Sequence, residues 1–339
     1  MPTVLVTGGA GYIGSHAVLG LARAGWQVVA YDNLSAGHRE AIDAIAAVCP
    51  GRVSLVEGGI ADAATVAATI TTHGVSAVMH FAAWLSVGES VTRPAEYYRN
   101  NVVGTLGVLE AMAATGVKAF VFSSTAATFG EPTETPITEA HPQRPINAYG
   151  QTKLTIEHAL PHFERAYGLR AVVLRYFNAA GADPDGLLGE DHAPEIHMIP
   201  RAVDAAMGRD ALQIYGDDYP TPDGTCLRDY IHVTDLAEAH VCALRWLEGG
   251  GASDAFNLGN GAPVSVLDVI RSVEHVTGRA VPYTIGPRRP GDPAVLFASN
   301  ARIRARLGWT PRFAALDRIV ETAWRWREAH PRGYRTASA

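Results

Sequence analysis

The sequence predicts a doubly wound α/β fold, a parallel sheet covered by helices on both faces with a smaller α+β lobe after it. Three observations carry the prediction: a glycine-rich turn that ends one strand and opens a helix at 7–14, a strand–helix alternation through the first half, and the loss of that rhythm after Asn178. Thr3 to Val6, Gln27 to Tyr31, Val53 to Val56, Ala77 to Phe81, Ala119 to Ser123 and Arg170 to Tyr176 are short runs rich in β-branched and apolar residues, and read as strands. Between them Gly14 to Ala24, Thr65 to Thr72, Ala95 to Ala114 and Asn147 to Tyr167 read as amphipathic helices. Each closes near a glycine, at Gly25, Gly74, Gly116 and Gly168. Ala179 to Pro194 is rich in Gly, Pro and Asp, and beyond it come helices at Pro200 to Met207, Thr234 to Leu247, Ser265 to Thr277 and Leu316 to Glu328. Residues 1–178 are therefore expected to form the sheet domain and 179–339 the smaller lobe, with some later segments returning to the sheet.

Composition narrows the function. The chain has 339 residues, 47% hydrophobic and 18% charged, which is ordinary for a packed α/β protein and excludes disorder. Its net charge is −6 with both signs interspersed, so no basic face stands ready for nucleic acid. Cys49, Cys226 and Cys242 fit neither a disulfide framework nor a metal spacing, and no leader-like or membrane-spanning apolar run stands out; a cytoplasmic protein without a membrane partner is the expectation. Lys118 and Lys153 are the only lysines among 28 basic residues, so each lysine position asks what arginine could not do there.

Gly8, Gly11 and Gly14 follow the first strand with the spacing of a dinucleotide turn: the first for the tight turn, the second for backbone approach to a pyrophosphate, the third for helix–strand packing. Asp32 closes the second strand, where a carboxylate accepts hydrogen bonds from the adenosine ribose and repels a 2′-phosphate. The first domain is thus expected to be an NAD-binding Rossmann-type domain.

Tyr149 and Lys153 stand one helical turn apart, after Asn147 as a cap, and share a face. A phenol titrates near 10 in water, and a neighbouring ammonium together with a cationic nicotinamide favours the phenolate, so Tyr149 is a candidate general base with Lys153 as its electrostatic partner. Ser123, Ser124 and Thr125 place hydroxyls at a strand end, from which one can hydrogen-bond the reacting oxygen.

Together with His80 to Ala83, Val87 to Ser90, Leu174 to Asn178, Asp223 to Thr225, Arg228 to Val233, Asn257 to Gly259 and Arg288 to Asp292, these residues resemble the extended short-chain dehydrogenase/reductase superfamily over essentially the whole chain, and within it the UDP-glucose 4-epimerase branch with the similar UDP-xylose/UDP-arabinose 4-epimerases. The resemblance implies a reaction without a metal. Tyr149 takes the proton of the sugar 4-hydroxyl while a hydride leaves C4 for NAD, and the 4-keto sugar turns before the hydride returns. Thr125 stands where the family has its strand-end serine. The resemblance also puts Tyr12, Ile13, Asn33, Ile60, Phe81, Ala82, Ala83, Asn100, Ser123 and Tyr176 at the cofactor, and Ser124, Asn178, His197, Met198, Gln213, Tyr215, Arg228, Tyr230, Arg289, Asp292 and Leu296 at the UDP-sugar. Among these, Asn178, Arg228 and Arg289 would hold phosphate, Asp292 a ribose hydroxyl, Tyr215 the uracil, and Leu296 would gate N-acetylated hexoses. A homodimer through the segments 95–114 and 147–167 is implied as well.

Two positions depart from the family pattern: Gly59 replaces an aspartate that contacts adenine, and Leu85 a lysine that contacts the cofactor ribose, so a weaker hold on NAD is expected. Ala126 and Ala127 replace the carboxylates that sugar-nucleotide dehydratases and decarboxylases need. A non-catalytic NAD-sensing protein remains as an alternative of another class, but such proteins typically lose Tyr149 or Lys153. Glu190, Asp191, His192, Glu195 and His197 lie in an irregular stretch without a familiar ligand spacing and read as a solvated substrate-site loop, and His80 reads as a core histidine.

Overall fold

The computed structural model describes residues 2–289 and 292–334; Pro290 and Gly291, within one of the motifs above, lie outside the described residues. Strands β1 (Thr3–Thr7), β2 (Gln27–Asp32), β3 (Val53–Glu57), β4 (Val75–His80), β5 (Ala119–Thr125) and β6 (Arg170–Tyr176) follow the predicted runs closely. The smaller pieces are β7 (Asn178–Ala180), β8 (Leu212–Tyr215), β9 (Leu227–Arg228), β10 (Tyr230–His232), β11 (Asp254–Leu258), β12 (Val264–Ser265), β13 (Tyr283–Gly286) and β14 (Val295–Leu296).

One seven-stranded sheet runs β11-β6-β5-β4-β1-β2-β3, with every neighbouring pair parallel. The chain order reverses between β1 and β4, the switch point at which such sheets bind ligands. β11 was not among the predicted strands: it comes from the second half of the chain and pairs with β6, Phe256 opposite Leu174. Helix Val233–Glu248 returns with it, since Leu236, Val241 and Leu244 share a core with Val4, Val6 and Leu174. A second core on the other face holds Leu5, Val78, Phe120 and Val173.

The predicted single helix 95–114 is broken: Pro94–Tyr97 and Gly104–Thr115 are α-helical, and Tyr98–Val103 between them is a π-helical turn. The smaller lobe has its own core of Ile199, Val203, Ile214, Val269, Ile319 and Trp324. Its sheets are small, β10-β7, β12-β9-β14 and β13-β8. Among the described residues no helix is long and apolar enough to cross a membrane.

Candidate active site

β1 feeds the glycine turn. Gly8 has φ 70°, and a β-carbon there would lie 2.6 Å from the Ala82 nitrogen, so only glycine lets the turn close against the end of β4. At Gly14 a β-carbon would come within 1.9 Å of the Gly8 carbonyl oxygen. At Gly11 the nearest atom would be 3.4 Å away, which leaves room for a ligand to approach the backbone. Gly11 is also the N-cap of helix Tyr12–Arg23, an end with no side-chain cap and no acid in its first turn. Its amide groups and dipole are therefore free to receive an anion.

Asp32, buried at the tip of β2, accepts from the Ala10 and Leu34 nitrogens at 3.0 and 2.8 Å. Burial raises its pKa and these backbone donors oppose the rise, which fixes the carboxylate beside the turn. An uncapped helix terminus and an oriented carboxylate fit a dinucleotide without a 2′-phosphate.

The other residues expected at the cofactor are placed as follows. Phe81 and Ala82 donate their amides to the Thr7 carbonyl, the Phe81 ring lies 4.6 Å from that of His240, and Ile13 and Ala83 are half-buried. Tyr12 donates to the Gly181 carbonyl at 2.7 Å, tying the helix to the chain after β7. Asn33 is exposed and accepts from Ser35. Ile60 packs where Gly104 lacks a side chain, a β-carbon there lying 2.8 Å from Ile60 Cδ1. Asn100 sits in the π-helical turn and donates to Asn101 at 2.9 Å.

β5 and helix Ala148–Tyr167 build the chemical centre. Asn147 caps that helix, its Oδ1 accepting from the Gly150 nitrogen at 2.8 Å. A β-carbon on Gly150 would lie 2.4 Å from the Ala127 carbonyl oxygen, so the first turn sits hard against the chain leaving β5. Tyr149 and Lys153 are buried on one face. Lys153 Nζ donates to the Ser123 carbonyl at 2.9 Å and lies 5.1 Å from the centre of the Phe122 ring. Ser123 shares a 2.7 Å hydrogen bond with the Tyr176 hydroxyl. Burial pushes the Tyr149 phenol up to about 12, opposed by its hydrogen bond with the Thr125 side chain. Burial likewise pulls Lys153 down to about 7, against the attraction of Glu157. Among the protein's own groups, burial outweighs the opposing hydrogen bond at the phenol.

Ser124 does not join the site. It is fully buried, and its hydroxyl donates to Glu157 Oε1 at 2.5 Å, because alternation along β5 turns it away from the face of Ser123 and Thr125. Arg175 grips both Glu157 oxygens, at 3.2, 3.0 and 2.6 Å, and Gln143 adds a donor at 3.0 Å. This buried polar layer beneath the lysine was missed from the sequence. Its signal was the continuation of the helical spacing from Tyr149 and Lys153 to Glu157. His80 is a satisfied core histidine, bonded to Thr7 and Thr105 at 2.7 and 2.9 Å.

In the smaller lobe, Arg228 pairs with Asp292, and Leu296 stands opposite Arg228 in the β14–β9 register. The Arg289 guanidinium lies 3.9 Å from the centre of the Tyr215 ring, and its hydrogen bond lowers the Tyr215 pKa. Asn178 donates both its amides to the Asp229 carbonyl, at 3.1 and 2.9 Å. Gln213 is exposed and Met198 half-buried. Tyr230 is buried in the lobe core, and burial raises its phenol, so its ring is a packing element rather than part of an open surface.

The stretch read as a solvated substrate-site loop is irregular as expected, but its acidic and histidine side chains turn inward. Glu190 is 7% exposed, and His197 Nδ1 lies 2.5 Å from its Oε1. His192 Nδ1 lies 3.2 Å from Glu190 and 3.5 Å from Glu195. Spacing along the chain concealed this because the four side chains meet only when the loop folds back on itself.

Residues 4–259 match the NAD dependent epimerase/dehydratase family. The chain is 51% identical over 334 residues to a UDP-glucose 4-epimerase of Halalkalibacterium halodurans, covering 98% of each chain. It is 49% identical over 333 residues to one of Lacticaseibacillus casei, again covering 98% of each. Among solved structures it is similar to a UDP-glucose 4-epimerase from Brucella ovis in complex with NAD, at 50% identity and TM-score 0.92, covering 96% of this chain and 98% of that one. A Stenotrophomonas maltophila UDP-glucose-4-epimerase with bound NAD and formylated UDP-arabinopyranose superposes with TM-score 0.94 at 40% identity, covering 98% and 99%.

Proposed function

From the premise that this chain belongs to the NAD dependent epimerase/dehydratase family, we propose that it interconverts UDP-glucose and UDP-galactose, with Tyr149 as the base. It is an isomerase that uses NAD to epimerise a UDP-sugar at C4. The observation that carries the residue assignment is the joint burial of Tyr149 and Lys153 on one helix face at the end of β5.

In this reading Tyr149 accepts the 4-hydroxyl proton, and Thr125, hydrogen-bonded to Tyr149, relays it. Lys153, fixed by the Ser123 carbonyl, holds the cofactor ribose and favours the phenolate whenever it carries its proton. Bound NAD would supply a reversible hydride acceptor for C4 and a positive charge that opposes the effect of burial on the phenol. Tyr149 then returns the proton to the new 4-hydroxyl, so no net oxidation occurs. Arg228, Arg289 and Asn178 hold the diphosphate, with the Arg228–Asp292 pair opening to engage phosphate and ribose. Leu296, beside Arg228, limits the substituent at C2 of the sugar.

The same reading makes the protein a cytoplasmic homodimer. It is supported by three free cysteines and by Tyr98, Val103 and Tyr167, which are 39%, 57% and 55% exposed on the segments expected to pair.

Tyr149→Phe tests the base assignment. It is expected to keep its bound cofactor, followed by absorbance, while turnover falls by about 10²-fold or more. Wild-type turnover in the variant would overturn the assignment.

A further inference from the structure

Glu190, His192, Glu195 and His197 each present a ligand-type atom, and these atoms all lie within 4.8 Å of one another. Three of the four side chains are well shielded, Glu190 at 4%, Glu195 at 15% and His192 at 17% exposure, with His197 at the rim at 40%. Ion pairs link both histidines to both glutamates, yet they leave one buried acceptor over. Glu190 turns one oxygen toward both His197 and His192 and leaves the other, Oε2, buried without a hydrogen-bond partner. A buried carboxylate oxygen with nothing to accept from is costly. Two imidazole nitrogens and two carboxylates in one pocket are the donor set of a borderline divalent cation, whose ligands sit about 2.0–2.2 Å from the metal in a tetrahedron.

We propose that Glu190, His192, Glu195 and His197 form a binding site for a divalent transition metal of the zinc and cobalt class. The site has a structural logic. All four ligands come from the loop between β7 and helix Met198–Ala206, and His197 is the N-cap residue of that helix. The His192 ring meets the edge of Tyr12 at 6.2 Å, so an ion there would fasten the loop beside the glycine-turn helix. The proposal rests on the loop geometry, and its readout is a metal spectrum rather than turnover, so its failure is distinguishable from failure of the epimerase reading; it would give His197, expected at the UDP-sugar, to the ion.

The test is a Co²⁺ titration of the chelator-treated holoprotein, read by visible absorption, which does not depend on turnover. The expected result is one saturable site with the intense bands of four-coordinate cobalt, displaced by Zn²⁺. Glu190→Gln and His192→Gln should each weaken Co²⁺ binding by more than about 10-fold, since loss of a ligand should cost at least as much as loss of a residue that merely orients one. Glu195→Gln, at a less enclosed position, gives the same reading if a buried variant fails to fold. His275→Gln, whose side chain is 78% exposed and distant in sequence, should leave binding unchanged. Absence of a saturable spectrum, or equal affinity in the ligand variants, would overturn the site.

Discussion

Lys153 shows how one residue's surroundings set its chemistry. Burial takes its pKa from 10.5 to about 7, while Glu157 pulls the other way. Between those values the unfolded chain holds a proton that the folded chain has released, so in protein prepared without cofactor this residue makes stability rise with pH from about 7 toward 10.5. Lys153→Met is expected to lose that part of the slope. Urea unfolding across the pH range compares the two proteins, and superimposable pH dependences would contradict the buried-amine assignment. The residue was legible from the sequence, because lysine is rare in this chain and stands one turn after Tyr149. Its pKa was not, because a titration shift depends on enclosure by Phe122, Ser123 and Glu157, which only the fold brings together.

The glycine turn and the helix behind it form an element whose sequence states its geometry. Gly14→Ala places a β-carbon 1.9 Å from the Gly8 carbonyl oxygen, a backbone atom with nowhere to go. The expected outcome is a loss of about 1–3 kcal/mol of stability together with weaker NAD retention, measured by urea unfolding and cofactor release. Gly59→Ala meets nothing within 4 Å and serves as the contrast, with stability unchanged. Equal behaviour of the two variants would refute the packing role of Gly14. Other elements were less legible. Helical periodicity continues through Tyr98–Val103, and no Gly or Pro within the segment marks the π-helical turn, whose buried Asn101 bonds to Trp84 and Thr152. Ser124 looked equivalent to Ser123 and Thr125 in sequence, but period-two alternation on a strand covered on both faces sends it to Glu157.

At the scale of the whole molecule, the parallel sheet was readable through six strands. The seventh, β11, escaped because it lies far along the chain in a region without alternation, and its partner β6 is fixed only by tertiary pairing. The return of β11 and of helix Val233–Glu248 joins the two halves through one core. The expectations for the smaller lobe came through family resemblance more than through local pattern, since an arginine's role depends on what it faces. The loop cluster at 190–197 was hidden for the same reason. At this scale the proposed function has a domain that holds NAD and a lobe that holds UDP-sugar jointly inverting C4. The most direct test is proton NMR of the purified protein with UDP-galactose and NAD, following the sugar's anomeric signal. The account predicts that the UDP-glucose signal grows to equilibrium without net reduction of the cofactor; an unchanged UDP-galactose spectrum would contradict it.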